Sequence, residues 1–463
     1  MKKSLQGTFL IIFSIAVIAS VTGCNKKSDV TLPLPAPIIN PIVSQLTATS
    51  ATIGARNGTS TYVTENGICY SSTNNTPTVS DIYLIDTLAA RWQHTLIGLT
   101  ANTTYYARAY QRNDAGVGYS DVVTFKTGAT AAVPIGTVTT FAGSATGASG
   151  YAEGTGTTAL FDGPLSIAFN PVNGLLYVNE SFNNTIRNIT TAGTTSSTIY
   201  SAIGYVDGAQ NVARFYGPRG MSFDAQGNAY LADLGNNVIR KMSTTGTVST
   251  LAGNTIAGYI DGAGTKAEFY NPSSTAVDAA GNVYVADRSN NLIRKITPAG
   301  VVSVLAGYIA LNGYAQSTVP GYLDGTAAAS FFNYPIALTI DASGNLYVAD
   351  YKNSAIRKVT PAGDVTTYAG GPNFPAFLGN PTGVVLDKNG NMFISENNGR
   401  ILEITAGKVL YVLAGANASG YVNGVGSAAR FGNPQSLTLD AQGNLYVADF
   451  NNNVIRKITV AVQ

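Results

Sequence analysis

Short apolar runs alternate with polar, glycine-containing turns through most of the chain, and one arrangement of runs recurs about every 50 residues. In a representative copy the runs are Ser274–Asp278, Val283–Asp287, Leu292–Ile296 and Val301–Ala306. They are rich in β-branched and aromatic residues and are bounded by Gly, Asn and Pro, which is typical of strands. Because turns of about four residues join antiparallel neighbours, each copy predicts a four-stranded antiparallel sheet.

The copies share residue types at fixed offsets within residues 135–463. Five copies open on a Tyr-x-[Asp/Glu/Asn]-Gly turn, at Tyr151, Tyr205, Tyr259, Tyr322 and Tyr421. A Phe follows each Tyr after 10 residues, at Phe161, Phe215, Phe269, Phe332 and Phe431. A Pro follows after 13 residues, at Pro164, Pro218, Pro272, Pro335 and Pro434, and an Arg comes later, at Arg187, Arg240, Arg294, Arg357 and Arg456. Such rigid spacing predicts one unit stacked on itself, and four-stranded units repeated radially form a β-propeller.

The repeats resemble NHL repeats. The resemblance rests on the string Gly281–Asp287 followed by Asn290–Ile296 and covers about the last 330 residues. Near copies of this string surround Tyr230, Tyr347 and Tyr446. The fifth copy departs from the pattern, because it lacks the Tyr-x-Asp-Gly turn and is one residue shorter before Ile401, so that Leu402 stands where the other copies have Arg.

The two ends of the repeat region complete each other. The last copy ends soon after Ile458, too early for a proper fourth strand, whereas Gly136–Gly143 matches outer strands such as Gly246–Gly253. We therefore expect the N-terminal segment to supply the fourth strand of the last copy, which closes the ring and removes an exposed sheet edge. The count is then six blades.

Residues 38–127 show short strand patterns and polar turns that do not match the repeats. The string Leu96–Arg108 resembles the end of a fibronectin type III sandwich. The resemblance makes Tyr105 the tyrosine corner, whose hydroxyl ties a loop to the backbone. The expected fold is all-β: a six-bladed NHL-type β-propeller at 135–463, preceded by a fibronectin type III-like β-sandwich and a linker at 128–134. The sandwich is interpreted as a spacer, and a binding role for it stays open.

The first residues indicate export. Two lysines precede an apolar stretch that is too short for a membrane span and has the layout of a signal peptide over residues 1–23. Val21–Cys24 resembles the bacterial lipobox, in which the cysteine is acylated and becomes the mature N-terminus. The resemblance implies a lipid-anchored outer-membrane lipoprotein of the Bacteroidota type, with a lipidated Cys24 and a Pro-rich tether over 24–37. It leaves open whether the protein faces the periplasm or the cell surface.

Charge and cysteine content narrow the classes of function. Charged residues make up 11% of the chain, against roughly 25% in ordinary soluble domains. Removal of the two signal-peptide lysines reduces the 27 basic residues to 25, which equals the 25 acidic ones, so nothing favours nucleic acid as a partner. With Cys24 lipidated, only Cys69 remains; an intrachain disulfide is therefore excluded, and its apolar strand pattern indicates a small buried side chain.

The candidate chemistry is sparse. His94 is the single histidine and falls in the sandwich region, so the propeller sequence offers neither a histidine-ligated zinc site nor a histidine general base. A carboxylate ends the second strand of every copy, at Glu180, Asp233, Asp287, Asp350, Glu396 and Asp449. These acids form either a cation site, with structural Ca²⁺ as the candidate ion, or an acid–base pair near the channel.

The alternative is that each acid accepts backbone N–H groups of its own turn or pairs with the Arg seven residues on. Occurrence in every copy favours this structural interpretation, because catalytic residues should break the symmetry. We therefore predict no catalytic residue and no required cofactor.

The loops that break the symmetry are the candidate binding site. The interval from Gly307 to Tyr322 is nine residues longer than the one from Gly253 to Tyr259, and the fifth copy has Gly371–Phe377 in place of the loop. Both irregular loops lie on neighbouring blades and on one face, which predicts a notch beside a protruding aromatic loop. The candidate binding residues are Tyr308, Tyr314, Tyr322, Phe374 and Phe377.

Two classes of function follow. We prefer a cell-envelope lipoprotein that acts as a non-catalytic binding or scaffold module, presenting one propeller face to an envelope or extracellular protein or glycan. The alternative is a metal-dependent lyase or hydrolase that uses carboxylates and backbone carbonyls in the propeller channel. Fold resemblance does not decide between them, because propellers host both classes.

Overall fold

The computed structural model describes residues 34, 39–44, 46–56, 63–86, 91–128, 134–199, 202–311, 316–372 and 378–462. The predicted signal peptide and the lipidated Cys24 lie outside the described residues. None of the helices found in the described ranges has the length and apolar character needed to cross a membrane.

Two antiparallel sheets form the N-terminal region. One contains Ile39–Ser44, Ser50–Arg56 and Arg91–Ile97. The other contains Glu65–Ser71, Ile82–Asp86, Thr104–Asn113, Gly116–Tyr119 and Val123–Lys126. Buried side chains of both sheets, among them Ile53 and Ile68, share one core. The hydroxyl of Tyr105 accepts a hydrogen bond from the Thr100 N–H at 2.9 Å, which is the loop tie expected for this tyrosine.

His94 and Cys69, the two side chains of this region that were considered for chemistry, both lie in strands. His94 lies within the strand Arg91–Ile97. Cys69 is fully buried, and its thiol donates to the carbonyl of Pro77. Burial raises the pKa of the Cys69 thiol to about 12, so the thiolate that a nucleophile needs is suppressed. The interpretation of Cys69 as a small buried side chain is confirmed.

Six antiparallel sheets within the described residues form the propeller, and each has four principal strands in order from the channel outwards. Blade 1 contains Pro164–Phe169, Leu176–Glu180, Thr185–Ile189 and Thr194–Ile199. Blade 2 contains Pro218–Phe223, Ala229–Asp233, Val238–Met242 and Val248–Ala252. Blade 3 contains Pro272–Val277, Val283–Asp287, Leu292–Ile296 and Val301–Ala306.

The second half of the ring repeats this plan. Blade 4 contains Pro335–Ile340, Leu346–Asp350, Ala355–Val359 and Val365–Gly370. Blade 5 contains Pro381–Leu386, Met392–Glu396, Arg400–Ile404 and Leu410–Gly415. Blade 6 contains Pro434–Leu439, Leu445–Asp449, Val454–Val462 and Pro134–Ala142. The chain is therefore an all-β protein with a six-bladed propeller, as the repeat predicts.

Short elements decorate the loops between these strands. Two-residue strands extend three blades, at Gly154–Thr155, Gly262–Ala263 and Gly424–Val425. A separate hairpin pairs Ile309–Leu311 with Gln316–Thr318. Single turns of 3-10 helix lie at Gly156–Thr158, Leu234–Asn236, Gly264–Lys266, Arg288–Asn290, Ala327–Ala329, Tyr351–Asn353, Gly426–Ala428 and Phe450–Asn452.

The ring closes through the first and last strands of the propeller. Pro134–Ala142 pairs antiparallel with Val454–Val462 over its whole length. Val138 of this strand is buried with Ile458 and with Leu413 of blade 5. The closure expected from the sequence is confirmed, and it joins segments more than 300 residues apart.

Each joint between blades is an apolar core. The Phe that follows the Tyr turn is completely buried in five blades, and Phe332, for example, packs with Ile293 and Ala306 of blade 3 and Val348 of blade 4. Side chains on both faces of the second strands are buried, because each sheet is covered by a neighbour on either side. The repeated apolar runs thus bury themselves against the next copy, which is how repeat proteins form a continuous core.

The N-terminal sheets dock on blade 5. The Val43 N–H donates to the Lys408 carbonyl at 3.2 Å, and Val43 pairs in parallel with Val409. Both valines belong to the core of the N-terminal sheets. We call the face at which the second strands end the acid face. Lys408 lies in the turn between the third and fourth strands of blade 5, which is at the opposite face, so the docked sheets leave the acid face open.

Candidate functional site

The six carboxylates that end the second strands lie on the acid face, one in each blade, and all are fully buried: Glu180, Asp233, Asp287, Asp350, Glu396 and Asp449. In blade 3, Asp287 Oδ1 accepts the Tyr270 N–H at 2.8 Å, and Oδ2 accepts Asn290 Nδ2 at 2.8 Å and Arg294 Nη1 at 2.9 Å. Burial raises the pKa of Asp287 to about 6. Three donors from three segments thus occupy this carboxylate.

This geometry corrects one detail of the structural interpretation. The backbone N–H that binds each acid comes from the loop ahead of the inner strand, and Tyr216 supplies it for Asp233. In the five blades other than blade 5, the acid's own turn supplies an Asn side chain, such as Asn236 for Asp233. The expected partnership with the Arg seven residues on is confirmed in five blades. In blade 5, Leu402 takes the position of the Arg in the strand register, and Glu396 pairs with Arg400.

The Asp of the Tyr-x-Asp-Gly turn is a second partner of the buried Arg. Asp261 Oδ1 accepts from Arg294 Nη2 at 2.6 Å, and the carbonyls of Ile260 and Glu268 accept from the same guanidinium. Equivalent pairs join Arg240 to Asp207 and Arg357 to Asp324. From the sequence this Asp was predicted only as a turn residue. Its recurrence in copies that also carry the Arg is the signal that could have revealed the pair.

The Tyr of the same turn covers the Arg from outside. The ring centroid lies 4.8 to 5.2 Å from the guanidinium carbon in the pairs Tyr151–Arg187, Tyr205–Arg240, Tyr322–Arg357 and Tyr421–Arg456. The hydroxyl of Tyr205 bonds to Thr250 Oγ1 at 2.8 Å, and that of Tyr322 bonds to Thr367 Oγ1 at 2.8 Å. These cation–π and hydrogen-bond contacts hold the ring against its own blade.

The predicted notch is only partly described. The loop insertion forms the Ile309–Leu311 and Gln316–Thr318 hairpin, and the Tyr308 ring stacks on Phe331 with centroids 4.6 Å apart. Tyr322 packs on Arg357, as in the other blades. Tyr314, Phe374 and Phe377 lie outside the described residues. The assignment of these five side chains to a binding site stays a prediction.

The inner strands enclose a channel that contains a cavity of about 240 Å³. Its lining combines apolar residues such as Ile167 and Leu338 with uncharged polar residues and one guanidinium. The polar and charged members include Arg219, Ser222, Ser274, Thr382, Ser436 and Thr438. No carboxylate occurs among the described residues that line it. Within the same described ranges, no group of three or more His, Cys, Asp or Glu side chains is arranged to hold a metal ion.

Three cations lie at the acid-face mouth of this channel. Arg219 is the second residue of the blade 2 inner strand, and its Nη2 contacts Gln435 Oε1 at 3.0 Å. Arg288 and Lys352 lie in the turns after the second strands of blades 3 and 4, and both stand over the Tyr334 ring, at 4.7 and 4.5 Å. This cluster was not predicted from the sequence, because its residues stand at positions where the copies differ and the predictions rest on the positions that they share. Alignment of the copies to find the positions that differ would have exposed it.

Comparison with known proteins identifies the repeat. The family model for the NHL repeat matches residues 269–296, 332–359 and 431–458, which run from the buried Phe to the third strand of blades 3, 4 and 6. The chain is 28% identical over 283 residues to protein SUPPRESSOR OF QUENCHING 1, chloroplastic, of Arabidopsis thaliana, a match that covers 55% of this chain and 26% of the plant protein. The chain therefore spans about a quarter of the length of that relative.

Two solved structures are similar over nearly the whole chain. A protein of unknown function from Bacteroides thetaiotaomicron superposes with a TM-score of 0.52 at 17% identity, covering 93% of this chain and 96% of that one. An auxiliary nutrient binding protein from Bacteroides ovatus superposes with a TM-score of 0.51 at 15% identity, covering 91% and 98%. At these identities the likeness concerns the fold.

Proposed function

We propose that this protein is a cell-envelope lipoprotein that binds a protein or glycan ligand on the acid face of its propeller without transforming it. The observation that carries the proposal is the burial of the six carboxylates that end the second strands. Each carboxylate is shielded from solvent and bound by an arginine, so the residues that the blades share stabilise the propeller. What the acid face offers to a ligand is the set of side chains that differ between blades.

The position of the N-terminal sheets supports this use of the acid face. They dock through Val43 on the turn that contains Lys408, on the opposite side of the propeller. The docked sheets therefore leave the acid face free to meet a ligand. The nutrient-binding role named for the Bacteroides ovatus structure agrees with this proposal, although at 15% identity that likeness speaks only for the fold.

The binding test compares the native chain with a variant in which Tyr308, Tyr314, Phe374 and Phe377 are all replaced by Ala. Crosslinking in intact cells would detect a protein partner, and a glycan array would detect a saccharide. We expect the variant to lose the ligand while its thermal unfolding midpoint stays within a few degrees of the native value, because the sequence predicts that these side chains lie on loops. The control is Val172→Ala, which removes an exposed side chain from a turn on the opposite face.

Two results would contradict the proposal. If the fourfold variant captures the ligand as well as the native chain does, the notch is not part of the binding site. Turnover of a captured ligand into a product by the purified protein would replace the binding function with an enzymatic one. Anchoring is tested separately with Cys24→Ser, which should move the protein from the membrane fraction to the soluble fraction and abolish labelling with a fatty acid.

A further inference from the structure

The mouth of the channel on the acid face differs from the rest of the ring in its charge. Six residues occupy the position that follows the inner-strand Pro: Leu165, Arg219, Ser273, Ile336, Thr382 and Gln435. Six residues follow the buried carboxylates: Ser181, Leu234, Arg288, Tyr351, Asn397 and Phe450. Arg219 and Arg288 are each the only cation at their position. Because inner strands begin and second strands end at the acid face, both side chains belong to the channel mouth.

These two arginines lack the partners that every repeated arginine has. Arg294 and its equivalents in the blades are held by buried carboxylates, whereas no carboxylate among the described residues lies within ion-pair distance of Arg219 or Arg288. Arg219 contacts the neutral amide of Gln435. The Nε of Arg288 is buried without a hydrogen-bond acceptor in the described structure, as is the Nε of Arg294, but Arg288 has no carboxylate partner there to compensate. Two N–H-rich groups thus stand at one opening without counter-charges.

The surroundings make this arrangement costly. Burial and, as a smaller effect, the positive charge of Arg288 lower the pKa of Arg219 to about 10. A partly desolvated cation beside a second cation is stabilised when an anion joins the pair. Guanidinium groups present planar, forked donors that match the oxygens of carboxylate, sulfate and phosphate groups.

Tyr334 provides a second and independent indication. Its φ is +65°, in the left-handed region that a bulky side chain disfavours. The corresponding positions in four other blades also have positive φ but carry Gly or Asn, at Gly163, Gly217, Asn271 and Asn433. The strained Tyr334 is held by the Asn291 Oδ1, which accepts its N–H at 2.8 Å, and its ring lies beneath Arg288 and Lys352. A strained backbone at a channel opening is a mark of a functional site.

We infer that the channel mouth is an anion-binding site, at which Arg219 and Arg288 take a carboxylate, sulfate or phosphate group of the ligand beside the Tyr334 ring. Lys352 adds a third positive charge on the same ring, and Tyr351, 6.4 Å from Tyr334 between centroids, widens the aromatic surface. The inference rests on the proposed binding function and specifies its ligand class: a glycan that contains an acidic residue.

The test is calorimetric titration of the full chain at low ionic strength with four probes. Galacturonate supplies a carboxylate on a sugar, inorganic sulfate and inorganic phosphate supply the other two anions, and galactose is the neutral match to galacturonate. We expect at least one anion to bind and galactose not to bind. Comparison of the three anions decides which of the three oxyanions the mouth takes.

The variants are Arg219→Gln and Arg288→Gln, each expected to weaken anion binding at least tenfold, with Arg219→Lys intermediate because it keeps the charge and loses the fork. The control is Arg214→Gln, an exposed arginine of the same blade, which should bind as the native chain does. Thermal unfolding of each variant identifies any that misfolds. Arg288 lies in a turn and contributes no ion pair within the described residues, so Arg288→Gln provides the test if Arg219→Gln is unstable.

Failure of this inference can be told apart from failure of the proposed function. Native-strength binding of anions by both glutamine variants, or binding of no anion at all, would overturn the anion site. If a partner captured in cells is still lost with the notch variant in that case, the binding function stands with its ligand elsewhere. A third outcome is that anion binding depends on both arginines and the bound molecule is converted to a product. The anion site would then be supported, and the proposal of a non-catalytic function would be wrong.

Discussion

Arg240 Nη1 lies 2.8 Å from Asp233 Oδ2, and neither side chain is exposed to solvent. The same guanidinium reaches Asp207 of the Tyr turn at 2.6 Å and the carbonyls of Val206 and Arg214. One side chain therefore ties together the third strand, the turn that enters the blade and the end of the second strand. This relationship explains why Arg, the turn Asp and the second-strand acid recur together in the sequence.

Loss of one partner of such a pair should be severe. Arg294→Leu leaves Asp287 buried without its cation, and removal of one partner of a buried pair costs about 3 to 5 kcal/mol. The measurement is the free energy of unfolding in urea. The matched control is the double variant Arg294→Leu with Asp287→Asn, which should recover part of the loss because the buried charge is gone. A loss below about 1 kcal/mol for the single variant would contradict a structural role for the pair.

Left-handed Asn residues link neighbouring blades, and Asn237 tests this link. Its φ is +55°, and its Oδ1 accepts the Asn271 N–H of the next blade at 2.8 Å. Asn237→Gly keeps the backbone conformation and leaves that N–H unpaired, a cost of about 1 to 3 kcal/mol. Asn237→Ala should cost roughly 1 kcal/mol more, because Ala disfavours positive φ. We expect the free energy of unfolding, measured by chemical denaturation, to fall from the native chain to the Gly variant and again to the Ala variant. An Ala variant as stable as the Gly variant would exclude the backbone contribution.

Lys408 should make stability depend on pH. Burial and, as a smaller effect, the charge of Lys358 lower its pKa to about 7, whereas an unfolded lysine has a pKa of about 10.4. Between these values the unfolded chain binds more protons than the folded chain, so the contribution of Lys408 to stability rises with pH from about 7 to 10 and is constant below about 7.

Lys408→Met should therefore be more stable than the native chain at pH 6, and this difference should shrink as the pH is raised to 9. Thermal unfolding at several pH values measures it. Lys388→Met, at an exposed site, is the control and should follow the native pH profile. A Lys408→Met profile parallel to the native one would show that Lys408 titrates normally.

Closure of the ring depends on the strand Pro134–Ala142. Val138→Asp places a carboxylate in the buried contact with Ile458 and Leu413, and a buried, unpaired charge is expected to cost more than about 4 kcal/mol. Thr137→Asp is the control in the same strand, where the side chain is exposed and the change should stay within about 0.5 kcal/mol. Limited proteolysis reports opening of the ring; equal resistance of both variants would mean that the propeller holds together without this strand.

The sequence by itself determined the blades, their number and the closing strand. The blades depend on contacts between residues at fixed offsets, such as the acid and the Arg seven residues after it. The closing strand follows from the fourth strand that the last copy lacks and that the segment ahead of the first copy supplies. Apolar alternation selects strands, and short turns select antiparallel neighbours, so these features are encoded within one repeat length. The substitution of Leu402 for Arg in blade 5 was visible in the same way.

Only the tertiary structure brought together the side chains in which the blades differ. Arg219, Arg288 and Tyr334 meet at the channel mouth because radial packing brings three blades to one axis, and no offset in the sequence links them. Val43 docks on Lys408 for a similar reason, since its partner is in another sheet more than 300 residues away. Local patterns specify a strand and the side chains that it buries, but long-range contacts depend on how complete blades pack together. Side chains that break the repeat therefore gain their meaning only when the ring is assembled.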